Sequence, residues 1–185
     1  TLVGVLSADS GLYSSDFRGV ERVFSLVTQV VGRSGRSGKR GRAYLQTYQP
    51  DHPVLNFAAR QDYESFYEDE IVSRKALLYP PFCDICTVCF SAQRESAVSD
   101  AAGVFLTMMR QAAQGREEQV PMRVLGPVKP PIYRLNGKYR LKIYIKCRCN
   151  AAFRSYLRGL LRQAPNQKAF RGVTLTADVN GDMNS

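Results

Sequence analysis

The residues best placed to do chemistry in this 185-residue chain are two arginines on a glycine-rich turn. The run Gln29-Val30-Val31-Gly32-Arg33-Ser34-Gly35-Arg36 follows a stretch with helical spacing, so the arginines leave a helix where glycine lets the backbone bend. Arginines presented this way can reach a nucleoside triphosphate held on a neighbouring lobe and neutralise the charge that develops on a transferred phosphoryl group. The competing reading is a solvated Gly/Arg loop. The chain has no phosphate cradle of its own. Gly38-Lys39 resembles the end of a phosphate-binding loop, but Arg40 stands where Ser or Thr is required, and the segment follows a helix rather than a strand. No acidic motif after a strand offers a magnesium site either, so these residues cannot complete ATP hydrolysis alone.

A second constellation surrounds Lys142. In an extended strand, alternate residues share a face. One face then carries Tyr139, Leu141, Ile143, Ile145 and Cys147, and the other Lys138, Arg140, Lys142, Tyr144, Lys146 and Arg148. The first reads as core. The second is a row of cations with an aromatic among them, suited to phosphate contacts and base stacking on single-stranded DNA, and Arg134 joins it as a candidate. Further on, Arg154, Arg158 and Arg162 recur at i, i+4 and i+8, opposite Phe153, Tyr156, Leu157, Leu160 and Leu161. Like charges at that spacing oppose helix formation by about 0.2–0.5 kcal/mol per pair, which an anionic partner would relieve. For both stripes the competing reading is a solvated face.

The remaining reactive side chains point to less. Five cysteines, an odd number, fit free thiols in a reducing compartment. Cys83, Cys86 and Cys89, with Cys147 and Cys149, invite a zinc reading. On a strand, however, Cys83 and Cys89 face one way and Cys86 the other, so no metal site is expected. His52 is the only histidine and sits in a Pro50-Asp51-His52-Pro53 turn, which leaves little material for acid–base or triad chemistry.

The elements that must hold these residues follow from pattern. Residues 1–7 read as a buried strand, Asp9 to Gly19 as a loop, and a helix starts near Glu21, burying Val23, Phe24, Val27, Val30 and Val31 before it ends at Gly32. Ala43 to Tyr48 alternates as a strand, and Tyr63, Phe66, Tyr67 and Ile71 mark an acidic amphipathic helix. Tyr79-Pro80-Pro81-Phe82 stops any helix and marks a boundary. Beyond it come a strand over Cys83–Ala92, a helix burying Val98, Ala101, Ala102, Phe105, Met109 and Ala112, and a short strand over Met122–Leu125. A longer strand over Tyr139–Cys147, a helix from Ala151 to about Gln163 and a strand over Val173–Val179 complete the order βαββαβ, the ferredoxin-like arrangement.

Charge separates the same segments. The chain carries a net +10 with a pI near 9.6, divided as +4 over residues 1–50, −3 over 51–80 and +9 over 81–185. Between Glu118 and Asp178 there is no acidic residue among thirteen basic ones. That asymmetry predicts a polyanionic partner. No apolar run approaches the roughly 18 residues of a membrane span, so no membrane partner is expected. The start within an apolar run, without Met, suits a piece of a longer protein.

Several of these segments resemble one family. Gln29 to Arg36 is similar to motif VI of superfamily 2 helicases. Thr1 to Leu12 with Asp16-Phe17-Arg18 resembles the motif V region of the primosomal replication-restart DNA helicases. Gln46-Thr47-Tyr48, Pro50-Asp51-His52-Pro53-Val54, Asp62-Tyr63-Glu64, Phe66-Tyr67, Glu70, Arg74, Tyr79-Pro80-Pro81-Phe82, Gly126-Pro127 and Tyr139-Arg140 continue the likeness across the chain. Where that family tends to end in Asp-Val-Asp-Pro, this chain has Asp178-Val179-Asn180-Gly181.

The resemblance implies an ATP-driven 3′-to-5′ DNA helicase that recognises abandoned forks, binds the single-stranded DNA-binding protein and, with primosome proteins, helps reload the replicative helicase. It implies an α/β part followed by an α+β part: residues 1–50 as the end of a RecA-like second motor lobe, 51–82 as a helical connector, and 83–185 as a basic ferredoxin-like DNA-binding domain. Gln29, Gly32 and Gly35 would line the ATP site, with Arg33 and Arg36 catalytic and Arg36 the likelier finger. ATP and magnesium belong to the intact protein and zinc to a module upstream, with nothing bound to this piece. Partners would be single-stranded and branched DNA, and the acidic tail of the single-stranded DNA-binding protein at Arg154 and Arg158, in a bacterial cytoplasm at the nucleoid. The alternatives are a stand-alone basic module that binds RNA or the ribosome, and a metal-binding regulator.

Overall fold

The computed structural model of the chain describes residues 2–14, 16–34 and 42–181. Its contacts fall into two compact units, Thr1–Leu77 and Leu78–Ser185, and helices and sheets are mixed in each, as expected.

The first unit runs β1 (Leu2–Val5), α1 (Asp9–Leu12), α2 (Gly19–Ser34), β2 (Arg42–Leu45), α3 (Pro53–Arg60) and α4 (Tyr63–Leu77). Strands β1 and β2 pair in parallel, Val3 opposite Ala43 and Val5 opposite Leu45. A parallel pair needs a long crossover, and the segment containing α2 supplies it. Val23, Phe24 and Val27 of α2 form a core with Val54, Leu55 and Ala58 of α3 and Phe66 of α4, and the rings of Phe24 and Phe66 stack at 4.1 Å. Residues of the segment read as a connector therefore contribute to this core. His52 is the N-cap of α3, its Nδ1 accepting from the Val54 amide at 3.3 Å, with Pro53 in the first turn where a missing N–H costs nothing.

Three sequence expectations fail here. Residues 1–7 were expected to form a buried strand, yet β1 is only Leu2–Val5 and none of its residues is buried, Leu2 being 71% exposed. The stretch from Asp9 was expected to be a loop, yet Asp9–Leu12 is helical. Tertiary contacts hold it: the buried Asp9 carboxylate accepts from the Thr47 hydroxyl at 2.6 Å and the Tyr48 amide at 3.1 Å, and a Cβ on Gly11 would collide with the Val23 side chain. Helix α2 also runs past Gly32 to Ser34. A glycine inside a helix costs only about 1 kcal/mol, and the composition rule overstated it as a stop.

The second unit runs β3 (Asp84–Ala92), α5 (Glu95–Ala113), β4 (Met122–Val128), β5 (Arg134–Leu135), β6 (Lys138–Cys147), α6 (Ala151–Gln163) and β7 (Thr174–Val179). The sheet order is β4-β6-β3-β7, with β5 pairing β6, and every pairing is antiparallel. Alternation puts Cys86, Val88 and Phe90 of β3 and Leu141, Ile143 and Ile145 of β6 on one face. They share a core with Phe105 and Met109 of α5 and Phe153 and Leu160 of α6. The Phe90 and Phe105 rings meet edge to face at 5.5 Å, and the buried Tyr156 hydroxyl of α6 donates to the Met109 carbonyl of α5 at 2.7 Å.

Strand β4 is longer than its apolar stretch suggested, and β5 was not expected at all, because two residues are too few to show a period. β4 continues through a register shift at Gly126, whose φ is +110°. A Cβ there would stand 2.8 Å from the Lys142 carbonyl oxygen, so glycine is what lets β4 pass β6 so closely. Among the described residues no helix is long and apolar enough to cross a membrane.

A polar clasp joins the first and last strands of this unit. Asn180 donates through Nδ2 to Asp84 Oδ1 at 2.8 Å and accepts from the Ile85 amide at 2.9 Å, while Asp84 Oδ2 accepts from the Cys149 amide at 2.8 Å. These bonds hold the Asp84 carboxyl below its usual value of 3.8, the Asn180 amide being the main cause. A depressed carboxyl contributes stability that is full above pH 3.8 and is lost as pH falls through the native value. Asp84→Ala is expected to cost about 1–3 kcal/mol. Thermal unfolding at pH 7 and pH 3 checks this: the gap between variant and parent narrows at the lower pH.

Candidate nucleic-acid interface

Helices α5 and α6 pack on one face of the second unit's sheet; among the described residues the other face packs no helix of its own unit, and register brings its side chains into cross-strand rows. Arg123 of β4 stands opposite Lys146 of β6, and Lys146 opposite Ile85 of β3. The next row is Leu125, Tyr144, Thr87 and Asp178, and the next Val128, Lys142, Cys89 and Thr176. Arg140 follows, opposite Ser91, which in turn stands opposite Thr174. Beyond the sheet body, Leu135 of β5 lies opposite Lys138.

The cationic row expected on β6 is therefore real in direction but not uniformly solvent-facing. Lys142 is 1% exposed. Arg140, Tyr144 and Lys146 are half-buried, and only Lys138 and Arg148 at the ends are exposed. Lys142 is covered by its surroundings, since it lines a small cavity with Thr87, Cys89, Thr176, Asp178 and Gly181. Lys142 is closed off from solvent, and Lys146 is partly covered by an aromatic ring. Its Nζ lies 4.0 Å above the Tyr79 ring, a favourable cation–π geometry. Burial presses the Lys146 pKa below its usual value, the Cys83 thiol opposes that, and the adjacent Arg123 charge adds to the lowering. Like charges directly opposite each other across two strands are destabilising, and Arg123 and Lys146 stand so.

Arg123 and Tyr79 were not singled out from sequence. Arg123 was legible in principle, since alternation puts it on the same side of β4 as Leu125; finding it needed the β4–β6 register. Tyr79 served as a boundary marker and as part of the family likeness, and nothing local places its ring over Lys146.

Other expected site residues lie elsewhere. Arg154 and Arg158 are exposed on α6, whose opposite side packs into the core, so they belong to the helix layer and not to the face of Lys146. Arg134 is exposed on β5, its guanidinium 5.1 Å from the Tyr139 ring centroid. In the first unit, Gln29 and Arg33 are exposed one turn apart on α2, and Gly32 is exposed between them. Gly35 and Arg36 lie outside the described residues.

Asp16, Phe17 and Arg18, quoted for the motif V likeness, meet Glu70 and Arg74, quoted further along it, in one cluster. Arg74 of α4 pairs with Glu70 at 2.7 Å and with Glu21 of α2 at 3.0 Å. The Phe17 ring takes cation–π contacts from both Arg18, at 4.7 Å, and Arg74, at 5.3 Å. The buried Asp16 carboxylate accepts from the Arg18 amide at 3.0 Å and pairs with Arg22 at 3.0 Å. This cluster ties the turn before α2 to α4, and its arginines are engaged in structure.

The cysteines divide by face as alternation requires. Cys86 and Cys147 are buried in the core, and Cys89 is half-buried on the helix-free face; Cys83 lies one residue before β3. Burial pushes the thiols of Cys86 and Cys147 up to about 12. Among the described residues no group of three His, Cys, Asp or Glu side chains could hold a metal ion.

Residues 75–182 match the family described as Primosomal protein N C-terminal domain. The chain is 34% identical over 180 residues to the replication restart protein PriA of Bacillus subtilis, covering 97% of this chain and 22% of that protein. It is 33% identical over 181 residues to the PriA of Treponema pallidum, covering 97% of this chain and 26% of the relative. With the PriA of Chlamydia muridarum it shares 54% identity over 82 residues, 44% of this chain and 11% of that one. The chain thus spans about a quarter or less of the length of these relatives.

Thiolate is the reactive form of cysteine, so burial and a high pKa protect a thiol. With a maleimide at pH 7, Cys89 and Cys149 are expected to label before Cys86 and Cys147, which stay unmodified until the unit unfolds. Peptide mass mapping over time reads the order, and early labelling of Cys86 contradicts it.

Proposed function

The chain belongs to the Primosomal protein N C-terminal domain family, and from that premise we propose that it is the C-terminal part of an ATP-dependent 3′-to-5′ DNA helicase for replication restart. In this reading the second unit is a ferredoxin-like domain that grips single-stranded or branched DNA on its helix-free face. The observation that carries it is the like-charged pair Arg123–Lys146, set directly across two strands beside the Tyr79 and Tyr144 rings, in a stretch with no acidic residue from 119 to 177. Fixed cations beside aromatic platforms suit a phosphate backbone with bases stacked next to it.

The first unit supports a motor role. Its parallel β1–α2–β2 arrangement suits the end of a RecA-like second lobe. Parallel strands are normally covered on both faces, whereas Leu2, Leu6 and Tyr44 are exposed, which suits a sheet completed by further chain. Gln29 and Arg33 would face the triphosphate of the neighbouring lobe, with Arg36 completing the cluster, and ATP and magnesium would be held there. Zinc belongs to an upstream module. On the helix layer, Arg154 and Arg158 are positioned for the acidic tail of the single-stranded DNA-binding protein, and primosome proteins are further partners.

Two experiments test this. The 185-residue chain is expected to bind single-stranded DNA with a steep salt dependence, and replacing Lys138, Arg140 and Lys146 together by Gln flattens the slope of log K against log salt by about 2 units, near 0.7 per lost phosphate contact. An unchanged slope removes the face from the account. In the longer protein that carries an ATP-binding lobe, Arg36→Ala is expected to lower ATP turnover by roughly 10³-fold or more at unchanged DNA affinity. Wild-type turnover in the variant removes the finger assignment.

A further inference from the structure

Strand β4 ends the second unit's sheet on one side. It pairs β6, and among the described residues no strand pairs its outer side. An edge strand offers unpaired N–H and C=O groups to any other extended chain, and folded proteins usually blunt such edges. Here the blunting is uneven. The far half of β4 holds Pro127, which has no N–H to give, just after the register shift at Gly126. The near half, residues 122–125, pairs β6 residue for residue with neither bulge nor proline.

A cavity of about 490 Å³ adjoins that open half. Met122 and Val124 of β4 form one wall, and Leu106, Met109 and Ala113 of α5 the other, with Arg110 and Glu117 in its polar lining. All five apolar residues but Met109 are half-buried. The strand-side wall is β4 and not β6, so the cavity lies toward the outer edge, where α5 overhangs the sheet. Its size falls within the range of ligand pockets, about 300–1,000 Å³, and exceeds a packing defect. A strand hydrogen-bonded to residues 122–125 would lay alternate side chains over this cavity, where apolar ones gain by burial. Its other side chains would share the helix-free side with Arg123. Arg123 already has Lys146 opposite it on β6, so a carboxylate on its other flank is favoured. The net positive charge of residues 81–185 works against a second copy of this chain at the same edge.

We propose that the outer edge of β4 takes an extended segment of a partner protein, in which large apolar side chains alternate with Asp or Glu, as an added strand of the sheet. The apolar set enters the cavity between α5 and β4, and one carboxylate meets Arg123. Backbone pairing supplies affinity and the cavity supplies selectivity, as in other cases of strand addition. The site is separate from Arg154 and Arg158 on α6, and it stands whether or not the helix-free face binds nucleic acid.

Nuclear magnetic resonance of the labelled 185-residue chain tests this with two synthetic peptides of one composition, the first alternating Ile with Glu, the second carrying its Ile and Glu in separate blocks. The alternating peptide is expected to bind about tenfold more tightly than the block peptide, the scale of one buried side chain or ladder bond. It shifts the amides of residues 122–125 and slows hydrogen exchange at those that point outward. Arg123→Glu, at an exposed position, is expected to weaken that binding by about fivefold, the scale of turning one attractive cross-strand pair into a repulsive one, and to favour a peptide alternating Ile with Lys. Ala113→Phe, which fills the cavity from α5, is expected to abolish binding of both alternating peptides, with far-ultraviolet circular dichroism showing that the unit remains folded. Equal binding of the block peptide, shifts confined to Arg154 and Arg158, or unchanged affinity in Arg123→Glu overturns the proposal. Slow exchange at residues 122–125 in the free chain that fades on dilution also overturns it, and assigns the edge to a second copy.

Discussion

Strand β6 is hydrogen-bonded on both sides, to β3 along Tyr139–Cys147 and to β4 from Lys142 to Cys147, and that fixes what each of its residues can do. A strand paired on both sides cannot slip by one residue without turning its apolar set out of the core. Leu141, Ile143 and Ile145 are locked inward, so Arg140, Lys142, Tyr144 and Lys146 are locked together on the other face. Arg123 and Lys146 are held opposite each other by the same register, a like-charge pair that is unfavourable by itself. The second unit keeps it because β6 also supplies the centre of its core. The cationic face proposed to meet nucleic acid is therefore a by-product of the register that builds the core.

The first unit meets charge in the opposite way. Its arginines near α2 and α4 are matched: Arg74 by Glu21 and Glu70, Arg22 by Asp16. Arg18 and Arg74 also bracket Phe17. A guanidinium saturated in this way positions helices and has little left for a ligand. Arg33 is exposed in the last turn of α2, with Gln29 one turn before it.

Much of this was legible beforehand where periodicity was long. The ten residues of β6, the nineteen of α5 and the thirteen of α6 carry enough repeats for the period to name the element and its buried face. Short or tertiary features were not legible. α1 depends on Asp9 reaching Thr47, and β5 has too few residues for a pattern. The exposure of the β6 cations could not be read from alternation, because alternation gives direction while depth depends on which strands lie alongside. Alternation could give the face of Arg123 but not its neighbour, a residue 23 positions later in the chain, across the register of β4 and β6. The arginines of α6 show the converse, a conspicuous spacing that lies on the other layer of the unit.

The two cationic surfaces of the second unit therefore make competing claims on a polyanion, and nuclear magnetic resonance of the isotopically labelled chain decides between them most directly. On titration with a single-stranded oligonucleotide, the account predicts that the shifts concentrate at Arg123, Tyr144, Lys146 and the β5–β6 hairpin, while Arg154, Arg158 and Arg162 stay nearly still. Shifts confined to the α6 arginines, with the helix-free face unmoved, would contradict it.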